Sequence, residues 1–368
     1  MEKIKRFIDC YIPTENCNFK CSYCYISTLD EFHHKTIEIE KSPEFIRKAL
    51  SKERLGGTCM LNFCAGGETL LSKRIVPIVE ELLKEGHYVM IVTNGSLSMR
   101  FDEILKFDKE LFKRLFIKFS YHYLELQRLN LLDTFFDNVK KMKNANISFT
   151  VEITPSDEYV PHIEEMKRIC KNAVGAIPHV TVARIENGDI PIMTNLDKEH
   201  YLKVWKSFDS KLFDFKYKIF NEKRKEFCYA GSWSYILNLA SGELKQCYRG
   251  RVIQNIYENL SEDIKSKPVG CYCPEPHCFN GHAFLAFGVI PELESPTFAE
   301  ERDRDCEDGT KWLQDDMREF MNTKLKDSNN ELSPKEKDRI NRKNRRLCFM
   351  KKIKRKIKGL LKIVKKKK

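Results

Sequence analysis

The chain has 368 residues, 42% hydrophobic and 11% aromatic, enough to bury a sizeable core and to exclude a disordered or fibrous class. Its net charge of +12 is concentrated: residues 335–368 carry 18 Lys and Arg against Glu336 and Asp338, leaving −4 on the rest. Global basicity therefore gives no reason to expect a nucleic-acid-binding body. No apolar run approaches a membrane span and the first residues form no apolar leader, so a chain with 14 cysteines reads as one that holds metal in a reducing cytoplasm, not as a disulfide framework.

Residues 4–13 read as a strand ended by Pro13. The loop that follows holds Cys17, Cys21 and Cys24, spaced C-x3-C-x2-C. Soft thiolates suit iron–sulfur clusters. Three of them can hold three irons of a [4Fe–4S] cube, which leaves the fourth iron open to a small molecule offering an amine and a carboxylate. A structural zinc site would need a fourth ligand, and Cys10, His33 and His34 lie at awkward spacing for it.

Residues 42–55 read as a helix, with Ser42 as cap and Pro43 at its first position. Strand patterns at 58–64, 88–93, 115–121, 147–154 and 180–185 then alternate with helical patterns at 73–85, 102–112, 124–143 and 158–172. The alternation predicts an α/β fold, a partial (β/α)6 TIM-like barrel with a parallel sheet. A small cysteine-rich C-terminal extension and a basic helical tail follow it. Chemistry on such a scaffold belongs at the C-terminal strand ends.

Each strand end carries a motif. The second runs into Ala65-Gly66-Gly67-Glu68, where glycines permit close backbone approach to a ligand and a carboxylate favours an ammonium. The third ends Thr93-Asn94-Gly95-Ser96, which also reads as an ordinary turn. The fourth ends with Ser120, His122 and Glu125; the last two would face the cavity mouth or cap the next helix. The fifth and sixth offer Thr150, Glu152 and Thr154, then Arg184 and Glu186, which suggests a polar lumen. His122, Glu125 and Arg184 are the candidate catalytic residues.

Through residues 5–190 the chain resembles the radical S-adenosylmethionine (radical SAM) enzymes. The cysteine triad is specific to that family, and the other motifs are jointly persuasive. The resemblance implies a [4Fe–4S] cluster on Cys17, Cys21 and Cys24 that binds S-adenosylmethionine. It also implies that Gly66, Gly67 and Glu68 meet the methionyl amine, that Tyr23 lies against the adenine, and that Ser120 meets the ribose or carboxylate. Asn94 and Glu152 complete the expected cofactor contacts.

A second group, Cys228, Cys247, Cys271, Cys273 and Cys278, brackets a hairpin pattern with a Ser241-Gly242 turn. It resembles the opening half of a SPASM or twitch extension, but with fewer cysteines than a full SPASM. Five thiols suffice for one auxiliary [4Fe–4S] cluster with one spare. Cys228 and Cys247 are expected ligands, the choice among Cys271, Cys273 and Cys278 is open, and His277 or His282 could replace a thiol. A zinc ribbon is the competing reading. Cys59, Cys64, Cys170, Cys306 and Cys348 read as core or surface thiols.

The expected divisions are a barrel over 1–195, a helical linker over 196–225, an auxiliary domain over 226–295, and a charged linker and tail over 296–368. In the tail, Leu347, Phe349, Met350, Ile353, Ile357, Leu360, Leu361 and Val364 form a helical stripe among lysines. Such a helix suits an anionic membrane surface; a solvated tail or an RNA contact are the alternatives. The expected partners are an electron donor such as flavodoxin or ferredoxin and a small-molecule, glycoconjugate or peptide substrate. The Cys278–Phe284 segment resembles radical SAM proteins of surface-polysaccharide pathways, which favours a cell-envelope sugar or lipid-linked precursor over a peptide. A non-catalytic metal-binding interaction protein is the reading from another class.

Overall fold

The computed structural model describes residues 2–24, 38–185, 190–271, 273–279, 281–346, 349–350 and 353. Six strands, β1 (Arg6–Ile12), β2 (Cys59–Ala65), β3 (Tyr88–Thr93), β4 (Leu115–Ser120), β5 (Ser148–Ile153) and β6 (His179–Val180), pair in parallel, each with the next. Helices α1 (Pro43–Ala49), α2 (Lys52–Leu55), α3 (Ile75–Lys84), α4 (Ser98–Ile104), α5 (Tyr123–Arg128), α6 (Leu132–Asn144) and α7 (Ile163–Val174) alternate with them. These strands run in the order β6-β5-β4-β3-β2-β1 in a sheet that extends beyond β1 and does not close, so the expected partial barrel is what forms.

Local chemistry explains most boundaries. Ser42 accepts a hydrogen bond from Phe45 N with Pro43 at the first turn, as expected. The expected helix over 124–143 is instead two, α5 and α6. Asn130 takes a left-handed φ of 54°. Leu131 N reaches Leu126 O and Asn130 N reaches Gln127 O, a Schellman end to α5. The helix expected at 102–112 begins earlier, as α4, and gives way to a 3₁₀ turn at Lys109–Arg114, started by Asp108 accepting from Glu110 N. The sixth strand is two residues long, and Arg184 bridges Ile192 beyond it.

The cysteine-rich region continues the barrel sheet. Strand β7 (Ser234–Asn238) pairs in parallel with β1 and turns through Gly242 into β8 (Glu243–Lys245), which pairs with β9 (Val252–Asn255). The charged linker expected from 296 also gives way. Phe298, Trp312, Met317, Phe320, Met321 and Leu325 are buried, and α10 (Asp315–Asn322) lies among them. Phe149 N donates to Trp312 O, and Ile4 N to Thr323 Oγ1. Charged residues masked the apolar positions of this segment from a reading by composition.

Alternation along the strands makes two cores. Ile8, Leu61, Ile91 and Ile117 belong to one core, which they share with residues of α1, α3, α4, α6 and α7. Phe7, Met60, Met90 and Phe116 belong to the other, with Phe284, Phe287 and Phe320. Further along that second face, β4 and β5 present Lys118, Ser120 and Glu152. One lumen is thus plugged with apolar side chains at one end and polar at the other.

Candidate active site and a second cysteine centre

A cavity of about 350 Å³ opens at the C-terminal ends of the parallel strands. Cys17, Cys21 and Cys24 line it, together with Gly66–Glu68, Thr93, Asn94, Ser120, His122 and Arg184. The cysteine loop is fixed to the second strand end by backbone hydrogen bonds: Gly66 N to Ile12 O, Gly67 N to Thr14 O at 2.7 Å, and Glu68 N to Asn16 O at 3.0 Å. A Cβ on Gly67 would collide with the Asn16 carbonyl. The glycine requirement thus has a cause inside the chain, the approach of the cysteine loop.

Glu68 is buried, and its two oxygens accept from Leu70 N, Thr93 Oγ1 and Asn94 N at 2.7–2.9 Å. Burial raises its carboxyl, against those three bonds. The carboxylate therefore ties the second strand end to the third. Asn94 Nδ2 donates to Asn18 Oδ1, Asn18 Nδ2 to Ser96 Oγ, and Ser96 Oγ to Asn94 Oδ1, a closed ring of amide and hydroxyl that anchors the loop again. Asn16 and Asn18 were not singled out from sequence; their positions beside Cys17 are the only signal there.

Tyr23 Oη is hydrogen-bonded to His122 Nδ1 and Tyr159 Oη, each at 2.6 Å, and its ring stacks on His122. Burial pushes the His122 imidazole down to about 4. Glu125 is not among the cavity-lining residues; it accepts from Lys20 N and pairs with Arg128, bracing the loop from outside. Glu152 lies beneath the lining, held by Lys118 at 2.9 Å and Arg302 at 3.2 Å. Burial raises its carboxyl, but these two cations outweigh that and keep it below the usual range. Arg302, 1% exposed, is a functional neighbour that the linker reading missed. Cys64, expected as a core or surface thiol, also lines the cavity. Glu186 lies outside the described residues.

The donor set fits an iron–sulfur cluster. Three sulfurs share one opening, and burial pushes the Cys17 and Cys21 thiols up to about 11 and 12, with the neighbouring thiols and carboxylates adding to it. Thiolates here need a metal's positive charge. Among the described residues no three His, Cys, Asp or Glu converge as a single ion requires. A cubane spreads its thiolates over separate irons.

A second, smaller cavity of about 50 Å³ is lined by Cys228, Cys247, Cys273 and Cys278, with His277 and Arg249 beside them. Burial and the mutual proximity of these four raise the Cys228 thiol well above its usual value. Cys271 is not in this lining; its N donates to Asn341 Oδ1, and its sulfur accepts from Asn341 Nδ2 at 3.4 Å. His282, the other candidate replacement ligand, lines the large cavity instead. Arg184 joins the two sites, donating to Phe279 O with its guanidinium 4.9 Å from the Phe279 ring centroid.

The fold is an α/β partial barrel with a cysteine triad at its strand ends. Residues 11–166 match the Radical SAM superfamily. Among solved structures, SuiB of Streptococcus suis is similar at 14% identity, over 70% of this chain and 64% of that one, with TM-score 0.47. The AdoMet-bound structure of anSMEcpe is similar at 15% identity, over 69% and 79%, with TM-score 0.46. BtrN with AdoMet and 2-DOIA is similar at 15% identity, over 72% and 85%, with TM-score 0.33. The chain thus spans less than two thirds of SuiB. A search of the curated proteins gave no match.

Proposed function

We propose that the protein binds S-adenosylmethionine at a [4Fe–4S] cluster on Cys17, Cys21 and Cys24 and abstracts hydrogen from a substrate held in the same cavity. When bound, the cluster and its ligand supply one electron to the sulfonium and a 5′-deoxyadenosyl radical. The chain's own residues supply position and shelter. The ladder from Ile12–Asn16 to Gly66–Glu68 and the Asn18–Asn94–Ser96 ring hold the triad rigid. Asn94, Ser120 and the glycine turn are the proposed cofactor contacts; Tyr23, neutral His122 and Phe19 form an aromatic wall that excludes water. Glu152, sealed by two cations, sets the charge of the cavity floor.

Cys228, Cys247, Cys273 and Cys278 are the proposed ligands of one auxiliary [4Fe–4S] cluster, with Cys271 the spare. Four thiols leave no iron open, which suits an electron acceptor. The net reaction is then an oxidation, epimerisation or crosslink, on an envelope sugar or lipid-linked precursor, with flavodoxin or ferredoxin as donor and a peptide as the competing substrate. The observation that carries the reading is the convergence of the triad, the Gly-Gly-Glu turn and Asn94 on one cavity at the strand ends. Anaerobic reconstitution tests it: about eight irons per chain, falling to about four when all three cysteines are changed to alanine, with 5′-deoxyadenosine made only by wild type. Zinc without iron, and no cleavage, would leave a metal-binding interaction protein.

The tail is proposed to rest on an anionic membrane from the cytoplasmic side. Among the described residues no helix is long and apolar enough to cross a membrane. Phe349, Met350 and Ile353 are helical and 42–64% exposed; most of the predicted stripe lies outside the described residues. Deleting 347–368 is expected to abolish sedimentation with phosphatidylserine vesicles; unchanged sedimentation would end this reading.

A further inference from the structure

The large cavity is basic where it is not sulfur. Lys118, Arg184 and Lys216 line it, Lys118 already paired with Glu152 beneath the lining, and among the described lining residues Glu68 is the one carboxylate, already occupied by its three internal hydrogen bonds. Lys216 comes from helix α9 (Lys211–Lys218), which follows α8 (Lys198–Lys206). Its ammonium donates to Thr181 Oγ1 at 2.7 Å and has no ion pair among the described residues. Burial, with Arg184 and Lys118 nearby, pushes that amine down to about 7, the Glu152 carboxylate opposing the fall. His282 enters from the turn Gly281–Leu285; its Nδ1 is buried with no hydrogen-bond partner among the described residues. An unpaired buried cation and an orphaned ring nitrogen are each costly, and sites that keep such groups keep them for a ligand.

We propose that Lys216 and His282, with Lys118 beside them, form a subsite for a negatively charged group of the substrate, a carboxylate or a phosphate. The inference rests on the radical SAM reading of this cavity and names the substrate class. The subsite is assigned to substrate rather than cofactor because α9 and the 281–285 turn both lie beyond residues 11–166, the part of the chain that matches the superfamily. An anion here compensates the cationic wall and accepts from the ammonium, while the His282 ring supplies the opposing hydrogen bond.

The test uses the reconstituted protein saturated with S-adenosylmethionine, titrated calorimetrically at low ionic strength with inorganic phosphate and, separately, with acetate. One or both are expected to bind, phosphate alone pointing to a phosphorylated substrate and acetate alone to a carboxylate. Lys216→Met is expected to weaken binding at least about tenfold. Lys216→Arg is expected to retain it, His282→Phe to weaken it less, and Lys113→Met, on the exposed surface, to leave it unchanged. Iron content and melting midpoint report whether each variant folds. Binding of neither anion, or equal binding by Lys216→Met, overturns the proposal. So does an anion that raises the dissociation constant of S-adenosylmethionine, since the subsite would then serve the cofactor. Absence of 5′-deoxyadenosine with anion binding intact would instead overturn the radical reading and leave the subsite standing.

Discussion

Cys17, Cys21 and Cys24 stand on one loop, whereas Cys228, Cys247, Cys273 and Cys278 come from separate segments across 228–278. The first set is aligned by backbone: a ladder to the glycine turn and a side-chain ring to the third strand end. The second is gathered by packing. Cys228 bridges Gly270 beside the sheet, Cys247 follows β8, and the last two lie on the segment that leads into the 281–285 turn. A local site depends on a few close backbone contacts. A dispersed set depends on the whole lobe folding, and a metal centre bound there would be coupled to that folding.

The sharpest way to break this comparison is to remove one thiol from the dispersed set and the spare beside it. Cys228→Ala is expected to lose about four of about eight irons and to lower the melting midpoint markedly, because lobe and cluster form together. Cys271→Ala, which loses only the contact with Asn341, is expected to keep all of them. Equal iron loss in the two variants would mean that Cys271 is a ligand and that the four-thiol assignment is wrong.

At the local site the largest effect should come from backbone spacing. Gly67→Ala forces the glycine turn off the Asn16 carbonyl and is expected to cost about 1–3 kcal/mol, with iron lost from the first site while the second stays filled. Chemical denaturation and iron counting read this together. Full retention of iron would show that the ladder does not set the triad. A smaller effect is expected from Asn18→Ala, which opens the ring with Asn94 and Ser96 and should cost about 1 kcal/mol. Iron content should survive, and the rate of 5′-deoxyadenosine formation should fall. A variant indistinguishable from wild type in both would make the ring ornamental.

How far the site was legible follows from the same contrast. The triad, the glycine turn and Asn94 could be read because each is a short motif at a strand end, and strand ends follow from alternating patterns. Lys216, His282 and Arg302 could not: one sits in a helix read as a linker, one was weighed only as a spare cluster ligand, and one lies in a segment dismissed for its charge. Glu125 shows the other side of this. Its place after a strand suggested the cavity mouth or a helix cap, and the fold sets it between Lys20 N of the cysteine loop and Arg128. Burial of a charged residue has no sequence period, because it depends on which distant cation or carboxylate arrives beside it.

Sequence alone determined the six parallel β/α units, the order of motifs along them and the three thiols of the first site, since hydrophobic period and ligand spacing are local properties of a chain. Tertiary structure decided the rest. It joined the cysteine-rich lobe to β1 as more of the same sheet and folded 297–325 into the lumen as a plug. It also separated four thiols from a fifth and brought Lys216 and His282 to face the triad's cavity. Each of these is a meeting of segments far apart in the chain, settled by the burial of apolar surface and the pairing of buried charge.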